Sequence, residues 1–493
     1  MRYLSFSFLL LSFALCTGTL EAQYANNAVP GNDQITGTLT LQQAVAIAMK
    51  NNLAVNNSDL GSQQFKIQYD QSWEYMLPTL SASGGQSINF GRSISSANNQ
   101  YSNTQFEAGN AGLNAGLVLF RGLQYQNGLK ASRYAYQASK MDLQQQRDNV
   151  TLNVLLAYLQ VLSNRDLLAL AIEQSRTDSV QLERQKVLGS EGDLNPLSGL
   201  TDLQGQYAGD QVGIAQNVNN LENSKVALFA LLNVPYNREV EYQNSVTTTD
   251  ISQYQASPDS IFRKALSLYP NIESARLKEL QYTRALAQAR GAYYPTVSLN
   301  AGVSTTWINN PAGTFTPSDS AYQKVNNIYA ANGAAQYQIF QQQYTNGTTT
   351  YPDWWNQFKN NRGENIGISV QIPILNGFQA RNNVRLAKLN LENSQINKVN
   401  ARNFLQQQVE NAFQNMVAAY KSYKFYAEQA KAFEESFRIT NIRFTEGVIT
   451  SDIYIQAKYR SDVAEVNLAA AKYIYIFRTK VLDYYQGRLD LTK

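Results

Sequence analysis

A long internal duplication constrains the fold of this chain more than any other feature of its sequence. The stretch LVLFRGLQYQN at 117–127 returns as IPILNGFQARN at 372–382, so that Gly377 follows Gly122 by 255 positions. This spacing continues without a gap over the next 70 residues of each copy. A repeat of this length predicts that one chain builds two similar structural units.

A shorter spacing relates the first parts of the two copies. YMLPTLSASGG aligns with AYYPTVSLNAG, which places Pro295 217 positions after Pro78. The second copy must therefore contain an insertion of 38 residues, and it falls within 308–363, a segment rich in Asn, Tyr, Gly and Thr. This composition predicts a long polar loop that carries Trp354 and Trp355.

Each copy reads as a helix, two strands joined by a loop, a long helix, a turn and a final helix. The first helices are expected to stop at Pro78 and Pro295, because the residue before a proline disfavours the helical conformation. In the second long helix apolar residues recur every 3.5 positions, which predicts coiled-coil packing. The predicted boundaries are a segment at 23–40; repeat 1 at 41–235, with helix 41–77, strands 79–92 and 105–120, long helix 123–188, turn 189–195 and helix 196–233; a linker at 236–256; and repeat 2 at 257–493, with helix 258–294, strands 296–307 and 365–375, the insertion 308–363 between them, long helix 378–445, turn 446–450 and helix 451–487.

The N-terminus predicts export across a membrane. Residues 1–22 combine one positive charge with an apolar run of about a dozen residues, which is typical of a signal peptide and too short for a spanning helix. Cys16, the only cysteine, lies within it and is either lost with the signal or lipidated. Beyond residue 22 no stretch of 18 consecutive apolar residues occurs, so the sequence predicts no spanning helix.

The composition argues against an enzyme. The chain has no histidine and only Cys16, which excludes a Ser-His-Asp triad, a His base and a Cys/His metal site in the mature protein. No pair of carboxylates stands out as an acid and base. We therefore expect no catalytic residues, no cofactor and no metal. The net charge of +4 without a basic run gives no reason to expect nucleic-acid binding.

The predicted strands alternate strictly between apolar and polar residues, so each has one apolar and one polar face. A soluble sandwich also has one apolar face, but four strands in two separated hairpins cannot build its core. A spanning barrel fits better, and since four strands cannot close one, it must be shared between chains. A dimer would supply eight strands around a filled interior, whereas a trimer would supply 12 and leave a pore. The positions then expected to face lipid are Leu113, Leu117, Leu119, Val297, Leu299, Ile366, Ile368, Val370 and Ile372.

Several motifs resemble the TolC-like outer-membrane efflux proteins, in the form typical of Bacteroidetes. They are LTLQQAVAIAMKNN, LPTLSASGG, YPTVSLNAG, FGRSIS and WWNQFKNNRGENIGISVQIPILNGFQARNNVRLAK, and they cover both repeats. The resemblance implies a mainly α fold with a β-barrel part: a homotrimer whose 12-stranded barrel lies in the outer membrane of a Gram-negative bacterium and continues as an α-helical coiled-coil tunnel in the periplasm. It also implies a periplasmic adaptor (membrane fusion) protein and an inner-membrane pump of the RND or ABC class as partners.

Within this resemblance the two turns lie at the periplasmic tip, where the aperture closes and the adaptor docks. The residues expected there are Gly192, Asp193, Asn195, Gly447, Thr450, Ser451, Asp452 and Gln456. The family's two gate aspartates align with Ile453 and Gln456, so an aspartate ring is not expected in its usual form. Gly122 and Gly377, with Pro78 and Pro295, are expected to mark the corners between barrel and tunnel, and 308–363 to be extracellular.

Three functions are compatible with these features. The leading hypothesis is a passive exit duct for efflux or type I secretion, driven by the partner pump. A self-sufficient pore for passive solute passage has no need of helices roughly 100 Å long. A trimeric coiled-coil adhesin would carry strands only at its C-terminus, contrary to the two internal hairpins.

Overall fold

A computed structural model describes residues 35–94, 100–103, 106–190, 197–243, 251–309, 313–332 and 335–488. The chain is mainly helical and forms two compact units. One comprises residues up to Ile67 together with Arg133–Gln281 and Glu392–Lys493, and the other comprises Gln68–Ser132 and Tyr282–Leu391. The predicted signal peptide, with Cys16, lies outside the described residues.

The elements follow the duplicated order, and each half contributes a pair of long strands and one very long helix. The first half contains β1 (Thr38–Leu39), α1 (Leu41–Asn51), α2 (Leu53–Glu74), β2 (Thr79–Asn89), β3 (Arg92–Ile94), β4 (Tyr101–Asn103), β5 (Phe106–Arg121), α3 (Gln124–Ser190), α4 (Leu197–Leu232) and β6 (Glu241–Tyr242). The second half contains α5 (Pro258–Leu268), α6 (Pro270–Arg290), a 3₁₀ turn (Gly291–Tyr293), β7 (Thr296–Ile308), β8 (Thr314–Asn332), β9 (Ala335–Thr350), α7 (Trp354–Asn360), β10 (Gly363–Gln371), α8 (Gln379–Thr445) and α9 (Ser451–Tyr485).

The four long strands form one antiparallel sheet in the order β10-β7-β5-β2. Leu80 of β2 pairs with Ala115 of β5, and Val297 of β7 pairs with Val370 of β10. Val297 follows Leu80 by 217 positions and Val370 follows Ala115 by 255, the two spacings read from the sequence. The two hairpins therefore share one register.

The first helix of each repeat is broken, whereas the sequence predicted single helices over 41–77 and 258–294. Asn52 lies between α1 and α2 in extended backbone, and its side chain accepts from the Ala54 N–H and donates to the Leu231 carbonyl. Tyr269, 217 positions later, is extended because Pro270 follows it. The breaks arise from the hydrogen bonds of the Asn52 side chain and from the proline after Tyr269, neither of which changes the apolar periodicity.

The insertion is also more regular than the predicted polar loop. β8 and β9 pair with each other as a separate two-stranded ribbon, and α7 follows them. In the first repeat β2 ends at Asn89 rather than at 92, and the loop after it carries a small β3–β4 ribbon. β10 ends at Gln371 rather than at 375, since Pro373 cannot donate to a strand ladder.

The two larger of three hydrophobic clusters in the described part of the helical unit form its main cores. The first joins α1, α3 and α4 to the short parallel β1–β6 pair, where the Tyr158 hydroxyl donates to the carbonyls of Leu39 and Gln243. The second buries the α8 stripe containing Leu405, Val409 and Met416 against α5 and α9.

Among the described helices, α3 is long and apolar enough over Gln124–Val187 to cross a bilayer by length and composition alone. The expectation from the sequence was that no spanning helix exists. A buried core helix passes the same test, and Val154, Leu159 and Leu162 of α3 lie in the first core. Part of the apolar surface of α3 is therefore buried within the protein.

Candidate functional sites

The sheet has one apolar and one polar face. Residues paired directly across an antiparallel sheet share a face, so Leu117, Leu299 and Ile368 form one row across β5, β7 and β10. The neighbouring row on the opposite face contains Gly116, Asn300 and Gly367.

Seven of the nine positions expected to face lipid lie on the apolar face. Leu119 instead falls at the irregularity between Val118 and Phe120, and Ile372 follows the last residue of β10. The side chains of Leu80, Ile366 and Ile368 are 76%, 78% and 67% exposed, which is unusual for residues of this type. Such a face requires an apolar environment that the single chain does not supply.

Close packing on the polar face depends on glycine. A Cβ atom at Gly302 would lie 2.8 Å from the Asn365 side-chain oxygen and 3.1 Å from that of Asn114. The Asn300 amide donates to the Ser369 hydroxyl across β7 and β10 at 3.2 Å. The polar face therefore presents neutral amide and hydroxyl groups, with small residues between them.

The two predicted corners share a backbone conformation but differ in their surroundings. Gly122 and Gly377 have φ of +56° and +61°, and Leu123 and Phe378 after them also have positive φ. A Cβ at Gly122 would lie 2.2 Å from the Gly291 carbonyl oxygen, whereas one at Gly377 would have no neighbour within 4 Å. Among the described residues, only the glycine of the first corner has another segment of the chain at its Cβ position.

We expect Gly122→Ala to lower the melting temperature of the folded chain in detergent well below that of Gly377→Ala. Both changes place a side chain at positive φ, at a cost of about 1–2 kcal/mol. Only Gly122→Ala also forces the Gly291 backbone away. Circular dichroism measures both variants, and equal melting temperatures would contradict the packing seen at this corner.

The turn between α8 and α9 closes with Gly447 at φ +73°. The Val448 N–H donates to the Arg443 carbonyl and the Gly447 N–H to the Phe444 carbonyl, the pair of bonds that defines a Schellman motif. The Thr450 hydroxyl donates to the Asp452 carboxylate, which lowers the pKa of Asp452. Asp452 thus faces the start of α9, where a negative charge is favourable.

The expected tip residues of the second turn are all at the surface. Ser451 is half-buried and donates to Asp202 at 3.4 Å, whereas Gly447, Thr450, Asp452 and Gln456 are exposed. Gly192, Asp193 and Asn195 of the first turn lie outside the described residues. The sequence analysis missed Val448, an apolar side chain that is 71% exposed at the turn.

A buried ionic cluster joins α3, α4 and α9. No local pattern predicts it, because its members lie far apart in the chain. Lys458 is 1% exposed, and its Nζ lies 2.5 Å from Asp462 Oδ2 and 3.3 Å from Asp178 Oδ2. Asp178 is fully buried, and the Asp210 carboxylate of α4 raises its pKa. The ring of Tyr454, one turn before Lys458, stacks on Phe444 at 4.6 Å.

The charges of this cluster do not balance. Burial raises the pKa of Asp178 to about 7, against the lowering effect of Lys458, and Asp210 raises it further. Burial lowers the pKa of Lys458, but the carboxylates of Asp462 and Asp178 outweigh this effect and raise it. Lys458 therefore stays charged, and its loss would leave carboxylates buried without a cation.

Across the described part of the chain, no group of three or more His, Cys, Asp or Glu side chains is arranged to hold a metal ion. The features that stand out are instead a two-faced sheet, a turn between long helices and a buried ionic cluster beside that turn.

Comparison with known proteins agrees with this description. Residues 341–477 match the family model described as outer membrane efflux protein. The chain is 22% identical to the outer membrane protein TolC of Salmonella enteritidis over 371 residues, which are 74% of this chain and 66% of TolC, just under two thirds of its length.

Solved structures show the same fold at low identity. The CusC structure is 18% identical, has a TM-score of 0.67 and covers 92% of this chain and 95% of its own. The CmeC outer membrane channel of Campylobacter jejuni is 17% identical with a TM-score of 0.67, over 92% of this chain and 87% of its own.

The fold is that of solved outer-membrane channel proteins, and the matching family is one of efflux proteins rather than an enzyme family. More narrowly, the chain matches the outer membrane efflux protein family over residues 341–477 and is similar to TolC over 371 residues. It is located in the outer membrane of a Gram-negative bacterium, and its helical part lies in the periplasm.

Proposed function

We propose that three copies of this chain form a 12-stranded barrel continued by a helical tunnel, and that this trimer is the exit duct of a tripartite efflux or type I secretion system. In this assembly the exposed apolar face of the sheet contacts lipid and the neutral polar face lines the pore. Gly122 and Gly377 mark the change from barrel wall to tunnel wall. An inner-membrane pump of the RND or ABC class supplies the energy, through a periplasmic adaptor.

The proposal of a trimer rests on the open edges of the sheet. β5 of the first repeat pairs with β7 of the second, while the outer edges of β10 and β2 have no partner strand among the described residues. Because the repeats share one register, the free edge of β10 corresponds to the edge of β5 that pairs with β7. The free edge of β2 likewise corresponds to the edge of β7 that pairs with β5. The β5–β7 pairing can therefore recur between chains as β10 with β2, and in a membrane such edges must be paired.

The corners support the same assembly. Gly122 packs against Gly291 within the chain, and the residue equivalent to Gly291 in the first repeat is Glu74, 217 positions earlier. The Cβ position of Gly377 meets no described residue of its own chain, and in the trimer it meets the Glu74 region of the adjacent copy.

Cross-linking tests this pairing at a defined register. Gly112 pairs with Ser304 within the chain, and the two repeat spacings convert this pair to Gly367 and Ser87 of neighbouring copies. We expect the double variant Gly367→Cys/Ser87→Cys to oxidise into a covalent trimer on a non-reducing gel. The matched control, Ile368→Cys/Ser87→Cys, puts its thiols on opposite faces and should remain monomeric. A monomer in both variants, or equal cross-linking, would count against the shared barrel.

A variant in the α8–α9 turn distinguishes an efflux duct from the alternative, a self-sufficient pore for passive solute passage. Val448 is exposed, so Val448→Asp should leave the assembled trimer intact. If the adaptor docks at this tip, the variant loses pump-dependent export, measured as accumulation of a fluorescent substrate in cells. Val212→Asp, at an exposed position in α4 away from the turn, is the control. Unchanged export by Val448→Asp would favour the passive pore.

A further inference from the structure

The short helix α7 lies in the insertion of the second repeat, directly before β10. It has seven residues, and helices of this length are unstable alone in water. Asp353 caps it by accepting from the Asn356 N–H at 2.8 Å. Further contacts must therefore hold it in place.

Gln357 fastens α7 to the end of β7. Its side-chain oxygen accepts from the Ile308 N–H, and its amide donates to the Ile308 carbonyl, both at 2.9 Å. The Asn361 amide donates to the Thr306 carbonyl at 2.8 Å. β10 begins at Gly363, opposite Ser304, so these two side chains satisfy the β7 backbone where no β10 partner is present.

α7 lies toward the apolar face of the sheet. Thr305 is on that face, two residues beyond Val303 in β7, and its side chain is buried. Its hydroxyl donates to the Phe358 carbonyl of α7 at 2.7 Å. The helix therefore covers the apolar face at the end that leads into the insertion.

The same helix presents a group of aromatic rings to its surroundings. Trp354 packs edge-on against Trp355 at 5.4 Å, and Trp355 stacks on Phe358 at 5.8 Å. The Lys359 ammonium lies 5.0 Å above the Trp355 ring. Although they are fixed in position, Trp354 and Trp355 remain 55% and 48% exposed.

We propose that α7 anchors the barrel in the outer leaflet, with Trp354 and Trp355 at the level of phosphate-bearing lipid headgroups and Lys359 beside the phosphates. Indole rings favour this zone because they are apolar with one polar N–H, and barrels carry aromatic residues at both ends of their apolar band. The anchor is continuous with the apolar face and depends on the proposed membrane barrel. Gln357 holds the rings at a fixed depth.

Depth-dependent fluorescence quenching tests the anchor in the full-length trimer. The chain has four tryptophans, so Trp73→Phe/Trp307→Phe leaves the α7 pair as the only indoles. In phosphatidylcholine/phosphatidylglycerol vesicles, we expect brominated acyl chains labelled near the headgroup to quench this pair about twofold more than chains labelled near the methyl end. Stronger quenching by the deep label, or no quenching by either, would overturn the anchor.

A second variant separates failure of the anchor from failure of the proposed barrel. Ile368→Trp, made with all four native tryptophans changed to Phe, places one indole in the middle of the apolar face. The deep label should quench it. If it does and the α7 pair is not quenched, only the anchor is wrong. If the deep label does not quench the Ile368→Trp variant and neither label quenches the α7 pair, the membrane barrel itself is contradicted.

Discussion

Replacing Lys458 with Met is expected to destabilise the helical unit by about 3–5 kcal/mol, because removing one partner of a buried ion pair leaves its counter-charges unpaired. The methionine fills a similar volume, so the loss of charge rather than a cavity dominates. Asp178 is fully buried and cannot recover water contacts, and the Asp462 side chain is only 19% exposed. The midpoint of helix unfolding in guanidinium, followed by circular dichroism in detergent, measures the effect.

The loss of stability caused by Lys458→Met should depend on pH. Burial already raises the pKa of Asp178 and of Asp462, and removal of the ammonium raises both further. A carboxyl with a raised pKa in the folded state contributes stability that is complete below its unfolded pKa and is lost as pH rises through its folded pKa. The variant should therefore be least stable relative to the parent above pH about 7 and closer to it near pH 5.

Lys480→Met is the matched control on the same helix. Lys480 is 44% exposed and lies 3.9 Å from Asp483, and a surface pair of this kind is worth no more than about 1 kcal/mol. An unfolding midpoint of Lys458→Met as high as that of the control would mean that the cluster is not essential to stability.

Ile368→Arg is expected to prevent stable insertion of the barrel. Ile368 lies near the middle of β10 on the apolar face and is 67% exposed. An arginine facing lipid costs about 2–4 kcal/mol at the bilayer midplane, and a trimer would carry three of them. The measurement is the amount of heat-resistant trimer recovered from the outer-membrane fraction.

Ser369→Arg is the control one residue away. Ser369 lies on the polar face, where an added charge contacts water in the pore rather than lipid. We expect normal trimer yields for this variant. Similar yields for Ile368→Arg and Ser369→Arg would contradict the assignment of the two faces.

The duplication made the sheet predictable to an unusual degree. The spacings of 217 and 255 residues, read from Pro78 with Pro295 and from Gly122 with Gly377, also relate the strand pairs of the two hairpins. The alternation of apolar and polar residues along each strand then assigned seven of the nine positions expected to face lipid to the apolar face. The period of a strand and the spacing of repeats can both be read directly from the sequence, without knowing which residues meet in space.

By itself, then, the sequence determined the two repeats, the pattern of strands and long helices, and the two faces of the sheet. Only the tertiary structure decided which distant residues meet: Lys458 with Asp178, Gln357 with the backbone of Ile308, and Gly122 with Gly291. The physical reason is that periodicity reports the environment of each residue, whereas a buried ion pair or a close backbone contact depends on three-dimensional positions that no local pattern encodes.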